Sequence, residues 1–459
     1  MRTADSLPHI PELPLIGSFF AFRDQRLDLL LRVGATCGDI GRFSIGPLPI
    51  VFLNAADLIH DLLVTHGYDT VKLPDFTDSA RPVLGNGLLT NEGTPHKAAR
   101  KLVAPAFAPR TIAGYATTMA SYAERLQSEW TDGATIDIHH EMTRLTLWIV
   151  GKTLFDADVL DEADDLGHAL TTAIAHVNAH IGALVHLPQS WPTPQQRHFH
   201  AAIARLDATM TRIIAEHRHE TTPHADMLAG LLAARDEDGV ALTDAQIRDE
   251  VMTLFLAGHE TTANAMSWTW HLLAHHPAAY DQLLAEIDAV LGGRSPTLED
   301  LPMLPYALQI CKESLRLYPP AYFTGRKTLC DITLGDYALP RGTLVMLSPY
   351  TLHRRADYFA DPLRFLPERF SPEREAAMQR HAYMPFGGGP RVCIGNHFAM
   401  MEMQIMLVTL AQQVTFAATP GEIVAEPLVT LRPKGGITMT VRRRALHTDN
   451  IAALTAQAV

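Results

Sequence analysis

Near residue 390 the chain reads Phe386-Gly387-Gly388-Gly389-Pro390-Arg391-Val392-Cys393-Ile394-Gly395, and a helical pattern follows from Asn396 to about Leu410. A single cysteine is presented at the end of a Gly-rich loop and the start of a helix. Backbone N–H groups and the positive end of the helix dipole favour a thiolate there, and small residues let a flat cofactor approach the backbone. A bare Gly-Gly-Gly-x-x-x-Cys is as often a buried structural cysteine after a tight turn. A second stretch, Ala257-Gly258-His259-Glu260-Thr261-Thr262, lies halfway along the longest helical pattern of the chain. Gly costs ~1 kcal/mol relative to Ala in a helix and paired Thr are poor helix formers, so something other than helix stability selects the segment. A third, Glu313-Ser314-Leu315-Arg316, sets a carboxylate and a guanidinium on one helix face at i and i+3.

Phe386, Gly389, Arg391, Cys393 and Gly395 match every fixed position of the signature F-x-x-G-x-R-x-C-x-G. On these residues the chain resembles the cytochrome P-450 family of haem-thiolate monooxygenases, and further stretches match in order along nearly its whole length. The segment from Ala257 to Thr262 is similar to the family's oxygen-activation motif. The resemblance implies that Glu260 and Thr261 deliver protons and that Gly258 leaves room for dioxygen. Glu313 and Arg316, joined by Arg369 from Pro367-Glu368-Arg369-Phe370, resemble the family's buried structural triad. Cys393 would ligate the iron of haem b as a thiolate, which pushes electron density onto iron and favours O–O cleavage. The haem's two propionates need cationic partners, and His96 and Arg100, at i and i+4 of Thr94-Pro95-His96-Lys97-Ala98-Ala99-Arg100, would supply them with Arg326 and Arg391. Phe386 and Gly395 complete the expected cofactor contacts.

The elements that must position these groups can also be read. The longest helix should begin at Thr243-Asp244-Ala245-Gln246, a capping-box pattern, and stop at Pro277, spanning roughly 50 Å at ~1.5 Å per residue. Helical periodicity dominates from about 95 to 320. Short β-like runs occur near Gly41 to Leu53, Ile332 to Leu347 and Val424 to Val441. The class is mainly α with small antiparallel β-sheets; the resemblance implies the cytochrome P-450 fold, with a long central helix over the haem. No Ser/Gly linker, fixed-period repeat or like-charge block marks a boundary, so 1–459 is expected to be one haem domain, with a Pro-rich opening over 1–20 and a tail from about 443 to 459.

Composition narrows the partners. Hydrophobic residues make up 47% and charged residues 19%, which excludes disorder. A formal charge of −12 works against nucleic-acid binding. Cys37, Cys311, Cys330 and Cys393 form no CxxC pair or disulfide framework, which fits a reducing cytoplasm. Pro8, Pro11 and Pro14 interrupt the N-terminal stretch, so neither a membrane anchor nor a signal peptide is expected there. Histidine pairs such as His139-His140 and His275-His276 lack companion ligands at zinc spacing, and Met400, Met401, Met403 and Met406 are expected to pack against neighbouring helices. The resemblance implies a monomer that uses O2, with electrons from a ferredoxin or flavodoxin and its NAD(P)H-dependent reductase. Lys97, Lys101 and Arg110 are candidates to steer that acidic partner. A hydrophobic substrate is expected, terpenoid or polyketide-like before fatty acid, because Phe76, Leu88, Leu89, Leu254, Phe255, Tyr322, Phe323 and Leu428 fall in the segments that the resemblance assigns to the pocket, which runs from Pro74 to Leu89, Ile174 to Pro194, Leu254 to Gly258, Ala321 to Thr324 and Leu428 to Leu431. The competing class is a gas or haem sensor, or a peroxide-using or isomerising relative, which would bind CO yet show no substrate-dependent NAD(P)H consumption.

Overall fold

The computed structural model describes residues 2–181, 191, 193–219, 226–235 and 239–444. Its axis is the helix Asp244–His275. Thr243 caps it reciprocally: the Gln246 N–H donates to Thr243 Oγ1 at 3.3 Å and the Thr243 N–H donates to Gln246 Oε1 at 2.9 Å. At the other end Pro277 opens the next helix, Pro277–Leu291, so the residue before it leaves helical geometry. Ile247, Val251, Phe255, Met266, Trp268 and Trp270 are buried on several sides of the central helix, so it runs through the core and not along the surface.

Helices surround it. Ile138–Phe155 packs along it, Ala163–His180 and Pro194–His219 pack on each other nearby, and Pro305–Leu317 and Asn396–Gln413 close the far side. Met401, Met403 and Met406 are buried and Met400 packs against the same core, as expected for gap-filling thioethers.

The largest sheet orders its strands Ile40–Ile45, Leu48–Leu53, Leu344–Leu347, Thr324–Thr328 and Thr70–Lys72. The sheets are small, as expected, but not wholly antiparallel. Leu48–Leu53 runs parallel to Leu344–Leu347, pairing Ile50 with Leu344, and Arg2–Thr3 runs parallel to Tyr337–Leu339. Nearly three hundred residues, most of them helical, separate the first pair, enough chain for the crossover that parallel pairing requires. Strands at Thr70–Lys72, Thr135–Asp137, Thr324–Thr328 and Val414–Ala418 lie outside the β-like runs expected from the sequence. Two of them carry the site: Lys72 stands opposite Arg326 in their antiparallel register.

No helix among the described residues is long and apolar enough to cross a membrane. Of the expected tail, 445–459 lies outside the described residues, as do 182–190 and 192 of the expected pocket wall.

Candidate active site

One cavity of about 1270 Å³ is lined by all ten residues singled out from the sequence as catalytic, cofactor-binding or metal-ligating: His96, Arg100, Gly258, Glu260, Thr261, Arg326, Phe386, Arg391, Cys393 and Gly395. Four separate segments of the chain meet there.

The cysteine loop depends on glycine at one position above all. Gly389 has φ +65°, and a Cβ there would lie 1.8 Å from the Leu63 carbonyl oxygen, so no side chain fits. The loop closes with the Cys393 N–H donating to the Phe386 carbonyl at 3.0 Å, and helix Asn396–Gln413 follows. The thiol is exposed to the cavity yet enclosed by protein. Burial pushes its pKa up, against the Gly395 N–H and the Arg100 charge, which pull it down. The expected thiolate preference of the loop is present but is outweighed. A bound metal cation would reverse that balance, because a coordinating thiol is deprotonated outright.

The polar wall of the cavity is strongly cationic. Arg326 is buried, donates to the Gly325 carbonyl at 2.9 Å, and is pushed down to about 10 by burial and by the Arg391 charge. Arg391 is bound to Glu92 and donates to the Asn91 carbonyl at 2.8 Å. Arg100 donates to the Val392 carbonyl at 2.8 Å, which ties the helix Gly93–Val103 to the cysteine loop. Burial, then the charges of Arg391, Lys72 and Arg100, push His96 down to about 3, which disfavours its cationic form. Lys72 was missed altogether, as was Glu92. The ammonium is mostly buried, meets Glu92 Oε1 at 3.2 Å, and is lowered to about 8, chiefly by burial. The only sequence signal for Lys72 was a three-residue strand. Counting Lys72, Arg100, Arg326 and Arg391 against Glu92 leaves an excess of three positive charges.

On the central helix, Leu256, Ala257, Gly258 and Thr261 form a half-buried stripe along the cavity; Thr262 also borders it but is more deeply buried. The Thr261 hydroxyl donates to the Ala257 carbonyl at 2.8 Å, leaving its oxygen lone pairs free to accept a hydrogen bond. Glu260 is almost fully buried. Its Oε1 accepts from the Thr430 hydroxyl at 2.5 Å, its Oε2 has no partner, and burial pushes its pKa up to about 7. It can therefore hold or release a proton near neutrality. Gly258 borders the cavity, and its missing side chain meets a second demand there. A Cβ would lie 3.0 Å from Val150 Cγ2, so glycine also permits the close crossing with helix Ile138–Phe155.

The remaining lining is apolar, including Phe76, Leu88, Leu89, Leu254, Phe323 and Val429. Phe255, Tyr322 and Leu428, expected there, are not part of it. Phe255 packs on Phe155 with ring centroids 6.1 Å apart, and Tyr322 turns away to accept from Arg26 at 2.8 Å and to donate to the Leu428 carbonyl at 2.7 Å. Arg42 and Lys327 also border the cavity.

A wall this cationic calls for an anionic ligand, and a lone thiol facing an otherwise apolar hollow calls for a metal. A haem, with two carboxylates and an iron that takes a thiolate ligand, would meet both demands at once, so the residues present fit that group. The cytochrome P450 family model matches residues 8–440, and the chain belongs to that family. It is 36% identical to cyclooctatin synthase of Streptomyces melanosporofaciens over 93% of this chain and 92% of that one. It is 34% identical to cyclooctat-9-en-7-ol 5-monooxygenase of the same organism over 89% of each chain. It is 33% identical to pentalenene oxygenase of Streptomyces avermitilis over 94% of each. The crystal structure of the cytochrome P450DA haem domain superposes with a TM-score of 0.86 at 27% identity, covering 96% of this chain and 98% of that one. The chain is a cytochrome P450 monooxygenase, an enzyme of a family that takes haem with cysteine-thiolate ligation and uses O2, an electron-donating partner and a hydrophobic substrate.

Proposed function

We propose that this enzyme inserts one oxygen atom from O2 into a polycyclic terpenoid, by hydroxylation or epoxidation, with polyketide-like molecules next and fatty acids after them. The observation that carries the reading is the apolar lining from Phe76, Leu88, Leu89, Leu254, Phe323 and Val429, continuous with Cys393 in one cavity. The names of the relatives, a cyclooctat-9-en-7-ol 5-monooxygenase and a pentalenene oxygenase, point to the same substrate chemistry.

Residues 1–459 form one haem domain in this reading. Cys393 would ligate the iron of haem b; Arg100, Arg326, Arg391 and Lys72 would take its carboxylates; His96 would add a hydrogen bond; and Phe386 and Gly395 would complete the contacts with it. When bound, thiolate-ligated haem supplies the reductive activation of O2. The apolar side chains orient the substrate and exclude bulk water. The Thr261 oxygen accepts and then relays a hydrogen bond in the cavity, while Glu260 holds the proton to be delivered. Lys97, Lys101 and Arg110 are exposed, and they offer a positive patch for an acidic ferredoxin or flavodoxin served by an NAD(P)H-dependent reductase. Four cysteines without a disulfide suit the cytoplasm, and the enzyme is a monomer in this reading.

Screening terpenoids, polyketides and fatty acids for the high-spin shift of the Soret band identifies the substrate; a shift confined to fatty acids would overturn the terpenoid assignment. With one substrate and one redox system, Thr261→Ala should keep electron consumption while product per NAD(P)H falls several-fold and peroxide rises. Thr262→Ala should change far less, because Thr262 is rotated by ~100° about the helix and is buried. Wild-type coupling in Thr261→Ala would remove the proton-relay role.

A further inference from the structure

The strands Ala425–Pro427 and Leu431–Pro433 pair antiparallel, and the residues between them reach the cavity, where Val429 and Thr430 are lining residues. Both ends of this tip are fastened. The Leu428 carbonyl accepts from Tyr322 at 2.7 Å, the Leu431 N–H donates to the Pro320 carbonyl at 2.9 Å, and Trp268 Nε1 donates to the Leu431 carbonyl at 3.2 Å. Between these anchors the Thr430 hydroxyl donates to Glu260 Oε1 and accepts from Asn264 Nδ2 at 3.1 Å. Glu260 and Asn264 are four residues apart on one helix face, so a single hydroxyl binds both. All three side chains are buried, yet Glu260 Oε2 and Asn264 Oδ1 have no partner. A buried chain satisfied at one end only is unusual for a structural network, where each orphaned oxygen costs about 1–3 kcal/mol.

Resting on the monooxygenase reading above, we propose that Thr430, backed by Asn264, is the positioning residue for Glu260, tying the proton-delivering carboxyl to the part of the pocket that touches substrate. Glu260 gives up its O–H proton toward the cavity, and the carboxylate left behind regains one from solvent water. The Thr430 hydrogen bond favours that carboxylate. So does Arg432 on the same hairpin, although it is itself paired with Glu426 at 2.8 Å. Removing the Thr430 hydroxyl leaves burial less opposed, so Glu260 should hold its proton to higher pH.

The test uses the haem-loaded enzyme and three variants. Infrared difference spectra across a pH titration should show a buried carboxylic acid C=O band that is absent in Glu260→Gln. In wild type its midpoint should lie near 7. In Thr430→Val the midpoint should rise by about one unit, product per NAD(P)H should fall several-fold, and its pH profile should shift in step, with haem content and the CO spectrum unchanged. Thr430→Ser, which restores the hydroxyl, should return both readouts to wild type. A wild-type midpoint in Thr430→Val, or failure of Thr430→Ser to rescue it, overturns the proposal. The infrared titration needs no turnover, so an enzyme that oxidises nothing would refute the functional reading while still deciding the role of Thr430.

Discussion

Cys393→Ser should abolish the spectroscopic signature of thiolate ligation in the reduced CO complex, together with all substrate oxidation, while the fold persists. Of the four cysteines only Cys393 lines the cavity. Cys311 is fully buried in helix Pro305–Leu317, where its pKa is pushed up to about 12, and Cys330 sits exposed in the turn before strand Ile332–Leu334. Neither can replace it. A serine hydroxyl is a far weaker donor to iron than a sulfur whose thiolate is stabilised by the Gly395 N–H and the Arg100 charge. Cys393→His should replace the thiolate signature with one typical of imidazole and abolish oxidation as well. Cys311→Ala and Cys330→Ser serve as controls and should leave the spectrum intact. An unchanged thiolate band in Cys393→Ser would refute the ligand assignment.

What could be read along the chain was what local chemistry encodes. The capping box at Thr243 and the stop at Pro277 bounded the central helix, and the glycines around Gly389 marked the loop that carries Cys393. What escaped depends on partners remote in sequence. Lys72 enters the cationic wall because a three-residue strand pairs with Thr324–Thr328, and such short strands carry almost no periodicity. Thr430 binds a carboxylate 170 positions away, and no spacing rule links them. The lowering of His96 follows from its burial beside Lys72, Arg100 and Arg391, which only the assembled pocket displays. Gly258 likewise required a view of Val150 on the crossing helix.

Glu313→Ala should yield protein that folds poorly and retains little haem. Arg316 spends all five of its N–H donors inside the protein: Nε and Nη2 on the Glu313 carboxylate at 2.7 and 2.8 Å, Nη1 on the carbonyls of His353 and Pro362 at 2.8 and 2.7 Å, and Nη2 again on the Arg364 carbonyl at 3.1 Å. Both side chains of the pair have no exposed area. Glu313 Oε1 also accepts from the Leu366 N–H at 2.9 Å and from Arg369 Nε at 3.3 Å, so one carboxylate joins helix Pro305–Leu317 to the turn Pro367–Phe370. Deleting it leaves a buried guanidinium uncompensated, at a cost of about 3–5 kcal/mol, against the ~5–15 kcal/mol that hold a protein folded. Arg316→Ala should be comparable. Arg369→Ala should be milder than either, because its side chain is partly exposed and its contact with Glu313 is longer. The measurements are haem content per chain and thermal midpoint, with Glu313→Gln, which keeps one accepting oxygen, expected to fall between wild type and Glu313→Ala. Wild-type haem content and midpoint in Glu313→Ala would show that this buried pair does not support the fold.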